Sequence, residues 1–277
     1  MTAPDPREPG PAPKEPADAH PQVPVVGVNG KPGPRLTLPL AFSSPLRPDL
    51  VQRAVVAARS HRIQPHGTSP TAGARHSVEW SGKGHGVART PRLMDSNRGA
   101  QSPNTVGGRP AHPPKVERIW TKKINRTERR LAFASALAAT RDPALAKARG
   151  HQLPTGLHLP LVLETPVEEI RTSADARELL QKLKLWTDVE RARTGTHLRA
   201  GRGRRRGRVR RTPRSLLLVT SAPGKARGFW NLSGVDVVPV LRLATEDLAP
   251  GGDAGRLTLF SHAALESLRA RLGEVAS

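Results

Sequence analysis

The chain has 277 residues, 28 of them proline and 25 glycine, so at roughly 150 residues per domain it holds one moderate core beside much turn-forming sequence. Lysine and arginine total 45 against 23 acids, a formal charge of +22 that destabilises a compact chain without a polyanionic partner, and nucleic acid is the partner it points to. Having no cysteine excludes disulfides, thiolate metal sites and cysteine nucleophiles and fits cytoplasm or nucleus, while no apolar run nears the roughly 18 residues of a membrane span and the start lacks a signal peptide's layout.

Residues 1–22 carry seven prolines, four acids and two bases with almost nothing to bury, and are expected to form a disordered tail. The apolar runs 23–28 and 36–40, separated by a turn-rich stretch from Asn29 to Gly33, predict a β-hairpin. A helix follows from Pro48 to near Ser60, with Leu50, Val51, Ala54, Val55 and Ala58 as its apolar stripe. From 61 to 114 neither a period of 2 nor one of 3.6 survives. This segment sets seven cations (Arg62, Arg75, Lys83, Arg89, Arg92, Arg98 and Arg109) and five histidines against Glu79 and Asp95, and it cannot build a core.

Regular structure resumes at Asn125, with Glu128 placed for a capping box, in a helix running to Thr140. A buried strand is expected over 159–163, then a helix started by Thr172 and Asp175 that turns Leu179, Leu180, Leu183 and Trp186 inward. Strands over 216–220, 235–240 and 257–260 and a last helix capped by Ser261 complete a βα alternation. The predicted fold class is α/β, a three-layer, mostly parallel sheet flanked by helices, with a long arm inserted after the first helix. Residues 191–214 hold eleven arginines and no acid, so this segment is expected to be extended when free and to order where phosphates neutralise it.

Arginine's planar fork binds two phosphate oxygens and stacks on bases, which suits folded RNA. The plainer alternative for 191–214 is a solvated basic linker or localisation signal, and for 61–114 plain disorder; the placement of the latter between two helices favours a functional arm. His61, His66, His76 and His85 lack metal-site spacing, so no metal is expected. Lys83 among Gly82, Gly84 and Gly86, and Gly224 with Lys225, match neither phosphate-loop nor dinucleotide patterns, and no cofactor is expected. Glu164, Glu168 and Glu169 read as a solvated acidic surface, with no catalytic set nearby. Of the four tryptophans, Trp120, Trp186 and Trp230 read as packing, and Trp80 alone as an RNA or partner contact.

Several motifs carry a family likeness: Gly67-Thr68-Ser69-Pro70, Gly84-His85-Gly86-Val87-Ala88-Arg89, Val106-Gly107-Gly108-Arg109-Pro110-Ala111-His112-Pro113-Pro114-Lys115, Trp186-Thr187-Asp188-Val189-Glu190-Arg191-Ala192, Arg199-Ala200-Gly201-Arg202-Gly203 and Leu248-Ala249-Pro250-Gly251-Gly252. Through them, residues 24–272 resemble the large-subunit ribosomal protein L four family in its archaeal and eukaryotic form. The resemblance implies a non-enzymatic α/β domain on the cytoplasmic ribosome, bound to large-subunit rRNA and neighbouring ribosomal proteins. It also implies an arm over 61–114 that reaches the nascent polypeptide in the exit tunnel, its middle at 75–92 and its base at 109–115. The expected rRNA contacts are Arg62, Arg75, Trp80, Lys83, His85, Arg89, Arg92, Arg98, Arg109, His112 and Lys115 on the arm, and Arg199, Arg202, Arg204, Arg205, Arg206 and Arg208 in the arginine-rich loop. The acidic tail departs from the family pattern. A free RNA-binding regulator or RNA chaperone is the alternative, and an enzyme on the α/β scaffold a third.

Overall fold

The computed structural model describes residues 21–273, which divide into two units, 59–122 and the remainder. In chain order the elements are β1 (Gln22–Val26), β2 (Pro32–Thr37), α1 (Pro48–Ser60), the short β3 (Val78–Glu79) and β4 (Arg92–Leu93), α2 (Arg126–Ala139), α3 (Pro143–Ala148), β5 (Leu161–Leu163), α4 (Ser173–Lys182) and α5 (Trp186–Thr194). They continue with β6 (His197–Leu198), α6 (Gly201–Arg205), β7 (Arg210–Arg211), β8 (Leu217–Thr220), β9 (Asp236–Pro239), α7 (Thr245–Leu248), β10 (Thr258–Ser261) and α8 (His262–Leu272).

The larger unit is an α/β domain on a six-stranded sheet of order β2-β1-β5-β10-β8-β9. Every neighbouring pair is parallel except the β1–β2 hairpin. Pro32 and Pro34 are tolerated in β2 because it is an edge strand, where a missing N–H breaks no inner ladder. The central strands β5, β10 and β8 are buried along their whole length, as strands covered on both faces must be. Their alternation feeds two cores. Val162, Leu217, Val219 and Phe260 join Val51 of α1, Leu137 of α2 and Leu265 and Leu268 of α8 on one face. Leu161, Leu163, Leu216, Leu218 and Leu259 join Ala146 of α3, Leu179 and Leu180 of α4 and Val189 of α5 on the other. The expected layering is therefore present, with helices on either side of a mostly parallel sheet.

Local departures have local causes. Of the tail expected over 1–22, residues 1–20 lie outside the described residues, but Gln22 belongs to the sheet, in register with Thr37. In α1 the buried position is Ala57 and not Ala58. Asn125 caps α2 by accepting from the Thr127 N–H at 3.3 Å, and Glu128, expected to close a capping box, instead pairs with Arg53 at 2.8 Å. The helix expected to run from Thr172 to Trp186 is two helices. Lys184 adopts a left-handed φ of 57° between them, and Leu185 is fully buried at the break.

Glu168 corrects the acidic-surface reading. It is buried, accepting from the Ser221 N–H and hydroxyl at 2.6 Å each and from the Ser261 hydroxyl at 2.5 Å. Ser261 in turn accepts from the Ala264 N–H at 3.0 Å, so one carboxylate fastens the ends of β8 and β10 to the start of α8. Glu164 and Glu169 are exposed, as expected.

Candidate nucleic-acid interface

The arginine-rich stretch begins inside α5, whose last turn holds Arg191 and Arg193, and then folds back on itself. β6 and β7 pair antiparallel, His197 with Arg211 and Leu198 with Arg210, and α6 fills the turn between them. This differs from the extended conformation expected from charge repulsion. Hydrogen bonds to backbone carbonyls supply the reason: the Arg199 N–H donates to the Val209 carbonyl at 2.9 Å, and its guanidinium to that of Arg210 at 3.2 Å. Arg202, Arg204, Arg205, Arg206 and Arg208 project from the turn with no acidic partner among the described residues.

The base of this hairpin is clamped to the sheet by buried charges. Asp188, on the first turn of α5, is fully buried and accepts from four donors: His151 Nδ1–H at 3.1 Å, the Gln152 N–H at 3.0 Å, Arg191 Nε at 2.9 Å and the Ser215 hydroxyl at 2.6 Å. Burial alone would raise its carboxyl, but the hydrogen bonds from His151, Arg191 and Ser215 together hold it well below the usual carboxylate range. Arg191 also donates to the Arg214 carbonyl at 2.9 Å, closing the hairpin across its neck. On the far leg Asp236 bridges Arg214 at 2.5 Å and Arg256 at 2.6 Å.

Arg256 is 1 % exposed, and its guanidinium also donates to the carbonyls of Ser215, Leu216 and Asp247. Burial lowers its pKa, with Asp236 opposing. The sequence reading missed Asp188, Asp236 and Arg256 as structural charges. The signal available was Asp188 and Arg191 at helical i, i+3 spacing.

Residues 59–122 form their own unit without a hydrophobic cluster: from 61 to 122 only Pro91 and Ala100 are buried. The Lys122 N–H donates to Ser60 Oγ at 2.8 Å, joining the two ends. Inside, backbone approaches backbone. Gly73, at a left-handed φ of 76°, lies where a Cβ would fall 2.6 Å from Arg109 Cα, and a Cβ on Gly108 would meet the Ser102 carbonyl at 1.9 Å. We expect Gly108→Ala to open the turn held by the Gly108 N–H to Thr105 bond and to speed amide exchange over 102–108 by about 5- to 150-fold, the equivalent of roughly 1–3 kcal/mol of overpacking. Unchanged exchange in hydrogen–deuterium mass spectrometry would count against this close packing.

The arm residues predicted to bind RNA are placed in several groups. Lys83 and His85 sit with Arg89 on the exposed glycine-rich loop between β3 and β4, and Trp80 at its start is 67 % exposed. Arg75 donates to Thr71 at 3.0 Å and Arg92 to the Asn97 carbonyl at 2.8 Å, so both also shape turns. Arg62, Arg98 and Arg109 are exposed. His112 and Lys115 line one open hollow of about 540 Å³ together with Glu117 and Arg118.

One tryptophan reading changes, since Trp230 is largely exposed. Trp120 is half-buried and packs against His66 and Arg118 within the unit that has no hydrophobic cluster. Trp186 does pack against the second core cluster, its indole N–H donating to Glu190 at 2.5 Å.

The described residues contain no group of three potential metal ligands, and no helix among them is long and apolar enough to cross a membrane. Gly224 and Lys225 line an open hollow with Glu168, whose two carboxylate oxygens are both engaged by the serines named above.

The sequence profile of the ribosomal protein L4/L1 family matches residues 36–271. Among curated proteins the chain is 44 % identical over 259 residues to the large ribosomal subunit protein uL4 of Methanopyrus kandleri, covering 91 % of this chain and all of that one. It is 42 % identical to that of Haloquadratum walsbyi, over 89 % of this chain and 98 % of that one. To that of Methanoculleus marisnigri it is 47 % identical, over 84 % and 92 %. With its α/β sheet, its separate 59–122 unit and a profile match spanning both, the chain belongs to the ribosomal protein L4/L1 family.

Proposed function

We propose that the protein is an architectural constituent of the large ribosomal subunit that binds its rRNA through the arginine-rich hairpin and the 59–122 unit, without catalysis. The observation that carries this reading is the hairpin. Eight arginines lie within 197–211, no acid pairs with any of them among the described residues, and the ion pairs Arg191–Asp188 and Arg214–Asp236 brace the base. A fold gains nothing from holding like charges together unless a polyanion meets them, and an arginine fork suits phosphate.

The glycine-packed 59–122 unit, rich in cations and poor in buried surface, suits threading between RNA helices. We assign to it the approach to the exit tunnel, the nascent polypeptide and neighbouring ribosomal proteins. On this reading the protein works in the cytoplasmic ribosome.

Sedimentation of a cell extract at physiological magnesium tests the assignment. The endogenous protein should travel with the large subunit in stoichiometric amount. Recovery in the light fractions would favour a free RNA-binding regulator instead.

A further inference from the structure

We propose that His66, Trp120 and Arg118 form a stacking site for one unpaired RNA nucleotide, whose phosphate is held by the cations of the adjoining hollow. The inference rests on the rRNA-binding reading and assigns a subsite within it.

Trp120 has no core to join in the 59–122 unit, yet its ring is not idle. The imidazole of His66 lies over it at 4.8 Å between centroids and 21° between planes, and the guanidinium carbon of Arg118 is 4.5 Å from the indole centroid. An imidazole and a guanidinium thus both lie against the indole. His66 and Arg118 are themselves exposed, so the cluster is open to solvent. Unpaired RNA bases are held by such surfaces, stacked on aromatic rings and arginine planes.

A further observation points to a ligand. Arg118 belongs both to the stack and to the hollow that His112, Lys115 and Glu117 line, so a base on the stack would have cations within reach of its phosphate. Glu117 offers an acceptor to an exocyclic amino group.

The test uses full-length protein and transcribed large-subunit rRNA, with affinity read by filter binding over a range of KCl concentrations. Trp120→Ala should weaken binding by about 5- to 150-fold, the usual worth of one base–aromatic stack, and leave the salt slope unchanged because no phosphate contact is lost. Trp120→Phe should recover most of the loss. Because Trp120→Ala could also disturb the unit, ultraviolet crosslinking of the wild-type complex with peptide mass spectrometry provides an independent readout. A nucleotide adduct on a peptide containing His66 or Trp120 is expected.

Wild-type binding with an unaltered Trp120→Ala affinity, or crosslinks that avoid both peptides, would overturn the stacking site alone. Failure of the wild-type protein to bind rRNA would overturn the broader reading and the site with it. Loss of affinity for a neighbouring protein while rRNA affinity stays intact would mean that the platform receives a polypeptide.

Discussion

Replacing Arg202, Arg204, Arg205 and Arg206 together by alanine should lower affinity for large-subunit rRNA by about three orders of magnitude at 0.1 M salt. Each phosphate contact contributes about 0.9 to the slope of log affinity against log salt for duplex, and about 0.7 for single strands. Four lost contacts should therefore flatten the slope by about 2.8 to 3.6. None of the four side chains has an acidic partner among the described residues, so the thermal midpoint should hardly move. Filter binding from low to moderate salt, beside a melting curve, measures both. An unaltered slope would remove these arginines from the phosphate contacts.

Asp188→Ala should destabilise the larger unit by about 3–5 kcal/mol, the cost of breaking a buried ion pair from one side. The change strands the Gln152 N–H, the Ser215 hydroxyl and the ring of His151, and it leaves Arg191 without its carboxylate. Urea unfolding would register the loss, a large share of the 5–15 kcal/mol typical of a folded domain. The pH dependence has a definite sign. Because the native carboxyl is held below its unfolded value of about 3.9, its contribution is complete above about pH 5 and fades as pH falls towards the depressed native value. Asp188→Ala should flatten that acid limb. It should also weaken rRNA binding with the salt slope intact, since the phosphate-binding arginines remain while the neck joining Arg191 to the Arg214 carbonyl loosens. A slope that fell with Asp188→Ala would show that the clamp is itself part of the RNA contact.

What the sequence made legible follows from how far each signal reaches along the chain. The short stretches Leu161–Leu163 and Leu216–Val219 are apolar at every position, the pattern of a strand covered on both faces, which is what β5 and β8 are. The Asn125 and Ser261 caps were visible because a cap is a local hydrogen bond. The break at Lys184 was not, because the apolar stripe continues through Leu183, Leu185 and Trp186 whether or not the backbone does. Glu168 looked solvated, and nothing marked Asp188 or Arg256 as buried, because a charge is buried only when its partners arrive from elsewhere. Those partners lie 53 residues away for Glu168 and Ser221, and 37 for Asp188 and His151.

The candidate interface shows the same division. Its cations stood out by composition alone. The packing within 59–122 did not, because glycines that permit close approach and glycines that merely loosen a chain read alike.

The alternation along β8 bears on how this lineage can change length. Leu217 and Val219 serve one core while Leu216 and Leu218 serve the other, so deleting a single codon there would swap the two sets and leave each with the other's contents. No point substitution nearby repairs that. Gains and losses of residues are tolerable where no such parity exists, in the glycine-rich turn between β3 and β4 and around α6, and sequences from diverging species should differ in length at those two places before any other.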